Sequence, residues 1–167
     1  MDTMLKASLW QQFGASIDML ADAIHLCPDH LWETVMWKDD EDARYGQFWF
    51  IAYHTLRWLD LYLTGSAEDF VLPAPFIPGR LPEKPYTKDQ ICTYLDHCRR
   101  KCQATIEGLT EEKANQLCTF EWLEATFLEL QLYNMRHVQE HASQLNLVLG
   151  QHEISGMDWV AKARNKG

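Results

Sequence analysis

The chain has 167 residues, 47% hydrophobic and 23% charged, which suits one folded domain with a single core and excludes a disordered chain. Its net charge of −9 comes without any basic run, which argues against phosphate-backbone binding, so no nucleic-acid partner is expected. Phe48–Leu63, the most apolar stretch, falls short of a membrane span and contains His54, Arg57 and Asp60, so no membrane partner is expected either.

The N-terminus, MDTMLKASLWQQF, lacks the continuous apolar run of a signal peptide. The cysteines, Cys27, Cys92, Cys98, Cys102 and Cys118, are odd in number and form no CxxC. Reduced thiols and a cytoplasmic location are the simplest account.

Met4–Cys27 is expected to be the first helix. Leu5, Leu9, Phe13, Ile17, Leu20 and Ile24 recur at helical steps, and Pro28 stops the run. Asp22 and His25 form a D-x-x-H on this helix, but a di-metal bundle needs a second such motif, and there is none. His25 and His30 read as surface or capping residues. Leu31–Tyr45 reads as a connection whose acidic middle, Lys38 to Asp42, lacks the glycine and terminal Glu of a calcium-binding loop.

Gln47–Leu63 is expected to be the second helix, closed by Gly65. It is apolar on most sides, as a helix central to its fold would be. His54 lies on its line Phe50, Ile51, His54, Trp58, Leu61. Ser66–Tyr86 then carries five prolines, Pro73, Pro75, Pro78, Pro82 and Pro85, a density that excludes helix and sheet interior. A loop of this length usually has a purpose. The favoured one is a crossover between helices two and three that lets consecutive helices run parallel; the other is that Phe70, Phe76 and Tyr86 wall a pocket.

Thr87–Leu109 is expected to be the third helix, opened by the capping box Thr87-Lys88-Asp89-Gln90. Its apolar stripe is Ile91, Leu95, Cys98, Cys102, Ile106 and Leu109. Cys98 and Cys102 point inward together; they are potential thiolate ligands, but buried cysteine normally behaves as a small hydrophobe. His97 sits off the stripe. Thr110–Lys113 reads as a helical turn. Trp122–Leu149, with its regular part from Glu124, is expected to be the fourth helix, with a start blurred by β-branched and aromatic residues. The tail from Gln151 is polar apart from Met157, Trp159 and Val160, and either packs back or frays. No strand alternation stands out, so the fold class expected is all-α, a four-helix bundle.

The fourth helix carries the chemistry. His137 and His141 are one turn apart on the line Leu130, Asn134, His137, His141, Leu145, Val148. That line is apolar at its ends and polar in its middle. A core-facing stripe interrupted by two imidazoles must give them partners. One partner is a metal ion, since neutral imidazole at this spacing can chelate; the other is a set of hydrogen bonds inside the bundle. His54, on a second apolar face, is the candidate for a third ligand.

Trp49–Gly65 (WFIAYHTLRWLDLYLTG), Arg136–Leu145 and the stretch from Pro75-Phe76 to Pro85-Tyr86-Thr87 together resemble the DinB-like superfamily of four-helix-bundle metalloproteins, over nearly the whole chain. The same name belongs to an unrelated DNA polymerase, which this sequence does not resemble. The resemblance implies a single domain over residues 1–167 and a three-histidine metal site at His54, His137 and His141. Ser143 departs from the family pattern, where glycine is frequent, but is still small. Asn134 is placed to orient a ligand or a bound water.

The resemblance also implies metal-dependent enzymes that use low-molecular-weight thiols as cosubstrates. The expected function is therefore activation of a small thiol or of water by a divalent ion, zinc, nickel or iron, toward a small-molecule substrate, in a thiol S-transferase or a hydrolase. The alternative is a non-catalytic metal-binding or structural bundle. No other catalytic motif competes, and the remaining catalytic residues are unknown. A homodimer is expected, because the family often forms dimers and because seven tryptophans, Trp10 among them, leave apolar surface to cover.

Overall fold

The computed structural model describes residues 2–156 and 158–165. Met157, one of the apolar residues of the tail, lies outside the described residues. The elements in chain order are α1 (Thr3–Leu26), α2 (Phe48–Thr64), α3 (Lys88–Glu107), the short α4 (Glu111–Asn115), β1 (Leu117–Phe120), β2 (Leu123–Thr126) and α5 (Phe127–Gln151), with 3-10 turns at Asp29–Leu31 and Ala43–Gly46. The protein is predominantly helical with one small sheet.

The four long helices begin and end where local chemistry sets them. The Asp2 carboxylate accepts from Met4 N–H at 2.9 Å and caps α1. Gly65 ends α2 with φ +81°, its N–H donating to Leu61 C=O at 3.1 Å. A Cβ there would meet the Phe127 ring at 3.0 Å, so the same glycine lets the start of α5 approach. The predicted box at Thr87 and Gln90 closes from both sides, at 2.8 and 3.3 Å. Thr126 caps α5 through Glu129 N–H at 3.3 Å.

α1 packs against α3 and α5, and α2 packs against the same two. Between them lies the main core, with Phe13, Ile17, Phe48, Trp49, Leu95 and Leu145 fully enclosed. A smaller cluster gathers Leu61, Leu109, Phe120, Phe127 and Leu130 near the sheet. The expected stripe of α3, from Ile91 to Leu109, is buried throughout; on α1 the stripe holds from Leu9 onward, while Leu5 is exposed. Contacts between α2 and α3 ascend in step: the Cys98 thiol donates to Leu56 C=O at 3.7 Å, and Lys101 donates to Asp60 at 2.6 Å and Thr64 at 2.8 Å. Cys27, Cys98, Cys102 and Cys118 carry free thiols.

One feature departs from the sequence expectation. Residues 117–126 form an antiparallel hairpin, with Cys118 opposite Ala125 and Phe120 opposite Leu123, so the last long helix starts at Phe127 and not at Trp122 or Glu124. The strands are four residues each and the Glu121-Trp122 turn has no glycine or asparagine, so the usual hairpin signal is missing.

The tail takes the first of its two expected courses and packs back onto α1. Val160 is buried, Ala163 N–H donates to Gln11 C=O at 2.9 Å, and Arg164 N–H donates to the Asp18 carboxylate at 2.7 Å. Arg99 completes this lock, donating to Asp18 at 2.8 Å and to Arg164 C=O at 2.6 Å. Gly14 makes room, since a Cβ there would meet the Ala163 methyl at 2.5 Å. Trp10 is buried, with the Arg99 guanidinium over its ring, and contributes no free apolar surface. Among the described residues, no helix is long and apolar enough to cross a membrane.

Candidate metal centre

α2 and α5 run antiparallel past one another, and their contact explains the polar middle of the α5 stripe. Gln131 donates to Tyr62 C=O at 2.8 Å, Asn134 donates to Leu59 C=O at 3.2 Å, and one turn further on the stripe meets His54. Asn134 thus ties α5 to the α2 backbone. Its amide N–H faces Leu59 and Gln131, while its Oδ1 is buried without a partner among the described residues, so this role does not displace the expectation that it orients a ligand or a bound water.

His54, His137 and His141 come together, half-buried, with one ring nitrogen from each inside a 4.8 Å span. The Nε2 atoms of His54 and His137 are 3.3 Å apart, and those of His137 and His141 are 3.1 Å apart. The rings of His54 and His141 meet edge to face with centroids 5.1 Å apart. Phe50 and Trp58, one turn either side of His54, each lie 6.0 Å from its ring. The trio therefore sits among aromatic rings.

Burial sets the charge state. It lowers the pKa of His54 to about 3, helped by His141, His137 and the Arg57 charge. It lowers His137 to about 4, with His141 adding to the effect. Both rings are neutral near pH 7 and present lone pairs. His141 Nδ1 lies 2.7 Å from Gln144 Oε1. Nδ1–H donates to this amide oxygen, which leaves His141 Nε2 bare and aimed at the other two rings. Gln144 is a site residue that sequence reasoning missed. The available signal was its place three residues after His141, on the same face.

The trio passes a simple test of fit. Imidazole nitrogens bind zinc at roughly 2.0–2.1 Å, and a tetrahedral site then separates its ligand atoms by about 3.3 Å. The spacings of 3.1 and 3.3 Å match this edge. Hydrogen bonding alone satisfies the cluster poorly, because one N–H at His137 Nε2 can donate to only one of the two Nε2 atoms beside it. The donor set is three neutral nitrogens, the set that zinc, nickel and iron(II) all accept.

The other histidines do not join. His25, His30, His97 and His152 are exposed, and His97 instead approaches the buried Asp60 carboxylate at 3.9 Å. Cys98 and Cys102 are enclosed in the core, where burial drives both thiol pKa values up, so they read as apolar packing. Of the predicted pocket residues in the proline-rich segment, Phe76 stacks on Tyr53 at 5.4 Å and Tyr86 accepts from Ile77 N–H at 3.1 Å. They brace the segment from Ile77 to Leu81, of which Ile77, Gly79, Arg80 and Leu81 line a cavity together with His54.

The fold and this trio define a class: a helical protein that brings three neutral imidazoles from two core helices to one point. The chain belongs to the DinB superfamily, whose sequence profile matches residues 12–145, a range that takes in all three histidines. No curated protein and no solved structure matches the chain.

Proposed function

We propose that His54, His137 and His141 hold one divalent metal ion, zinc, nickel or iron, and that the protein is a metal-dependent enzyme acting on a small-molecule substrate, a thiol S-transferase or a hydrolase. The observation that carries this reading is the convergence of three lone-pair-bearing Nε2 atoms at the spacing of one coordination sphere. A divalent ion bound there supplies a Lewis-acidic centre that lowers the pKa of a low-molecular-weight thiol or of water.

The chain's own groups do the rest. Three protein nitrogens leave room for an exogenous ligand, the layout of a reactive site and not of a closed structural one. Gln144 fixes the tautomer of His141. Phe50 and Trp58 give the site aromatic walls beside His54. Metal analysis of the untagged protein, followed by a screen of small thiols and electrophiles, tests the reading. Bound metal without turnover would leave the non-catalytic metal-binding bundle as the function.

The reading extends to the whole chain. Residues 1–167 act as one domain, and the four long helices form a four-helix bundle. The stepwise α2–α3 contacts support a parallel pair joined by the proline-rich segment as a crossover. The reduced thiols support a cytoplasmic location. Exposed Val71 and Trp122, near each other beside Trp58, support association as a homodimer.

A further inference from the structure

The chain is acidic, yet the hollow beside His54 is basic. Arg44, Arg99 and Arg164 are each held by a carboxylate, from Asp42, Asp18 and Asp22. Arg57 and Arg80 have no ion-pair partner among the described residues. Arg57 projects from α2 one turn after Tyr53 and stacks over Trp58 at 5.0 Å. Arg80 comes from a different element, the braced part of the proline-rich segment. Both line one cavity of about 150 Å³ together with Tyr45, Phe50, Tyr53 and His54, and no carboxylate lines it among the described residues.

Two unpaired guanidiniums across a small aromatic hollow are an unneutralised pair of charges. Guanidinium recognises planar oxyanions through paired N–H donors, and partial desolvation strengthens the bond. The volume matches a single six-membered ring, since a cavity of about 150 Å³ holds benzene. The walls at Phe50 and Tyr53 offer flat apolar surface to such a group. His54, a member of the histidine trio, also lines this hollow.

We propose that this cavity binds a small organic acid, its carboxylate between Arg57 and Arg80 and its planar apolar body against Phe50 and Tyr53. The inference deepens the enzymatic reading by naming the substrate class of the same site. It rests on that reading for its functional meaning, while the arginines recognise the carboxylate without help from a metal.

The test is a calorimetric titration of the full chain with phenylacetate and with its uncharged isostere phenylacetamide, on the protein as purified and after chelator treatment. Phenylacetate is expected to bind both preparations, and the amide about tenfold or more weakly. Arg57→Gln and Arg80→Gln should each weaken phenylacetate by about tenfold or more, with Arg100→Gln as an exposed control that changes nothing. Arg80 is exposed on a loop, so its replacement keeps the fold even if that of Arg57 does not.

Absence of binding, equal binding of acid and amide, or wild-type affinity in Arg80→Gln would each overturn the proposal. Competition by inorganic phosphate as effective as that by phenylacetate would overturn the assignment to an organic acid. Binding seen only with metal present and insensitive to both arginines would also overturn it. Arginine-dependent binding in a protein that takes up no metal would uphold this inference and end the metal reading, so the two fail separately.

Discussion

The Nε2 atom of His54 on α2 lies 3.3 Å from the Nε2 atom of His137 on α5, although 83 residues separate them in the chain. Two neutral imidazoles this close, with a third on the same side, are held by the packing of two core helices. Gln131 and Asn134 set the register of that packing through the carbonyls of Tyr62 and Leu59. The site is thus a property of the α2–α5 interface.

Gln144 acts on the site through His141. Gln144→Leu removes the acceptor for Nδ1–H and frees the ring to turn. Metal affinity should fall by about 10–100-fold, the usual effect of losing an outer partner, while the helical circular dichroism spectrum stays unchanged. A competition titration with a chromophoric chelator reads the affinity. Unchanged affinity would mean that the packing of His141 alone sets its orientation.

Acid should destabilise the metal-free protein in a specific window. The unfolded histidines titrate near pH 6.5, whereas burial holds His54 down to about 3 and His137 to about 4. Between these values the unfolded chain binds more protons than the folded one. Stability is therefore fully present above about pH 6.5 and is lost as pH falls toward 4, by up to about 1.4 kcal/mol per pH unit for each ring. His54→Leu should flatten this slope. Urea titrations of both proteins at pH 7 and pH 5 check it, because the carboxylates are common to the two and cancel; equal losses would contradict the assignment.

The buried lock between α1, α3 and the tail predicts a large stability effect far from the histidines. Arg99 pairs with Asp18 at 2.8 Å, and both are buried. Arg99→Ala leaves the carboxylate uncompensated and should cost about 3–5 kcal/mol. Hydrogen exchange should then show loss of protection at the Ala163 and Arg164 amides, which donate to Gln11 and Asp18. A loss below about 1 kcal/mol would show that water replaces the pair, as it does at surface sites.

Much of this was legible because the strongest signals were periodic. The stripes of α1 and α3, the box at Thr87 and Gln90, and the interrupted line from Leu130 to Val148 are all consequences of a helical repeat, and they placed the three histidines on inward faces. What escaped was non-periodic. The hairpin at Leu117–Thr126 has short strands and an unremarkable turn, although Thr126-Phe127-Leu128-Glu129 carries a helix-start pattern that marks the true beginning of α5. The tail returns across Gly14, a contact between residues 149 positions apart (Gly14 to Ala163) that no local pattern encodes. Asn134 shares the stripe with the histidines, and what the stripe did not reveal is that its amide N–H ties α5 to the α2 backbone.

Association is open to a direct check. Light scattering of the full chain at micromolar concentration should give the mass of two copies, twice 19.5 kDa. Trp122→Glu, which puts a charge on the exposed apolar surface beside Trp58, should shift the mass to that of one chain. A monomeric wild type would remove the homodimer from the account.

Metal analysis of the untagged protein by plasma mass spectrometry, after dialysis against zinc, nickel or iron(II), tests the central claim most directly. The account predicts one divalent ion per chain in the wild type and in His97→Ala, and its loss in His54→Ala with the helical spectrum intact. Wild-type protein that retains no metal, or His54→Ala protein that retains as much as wild type, would contradict it.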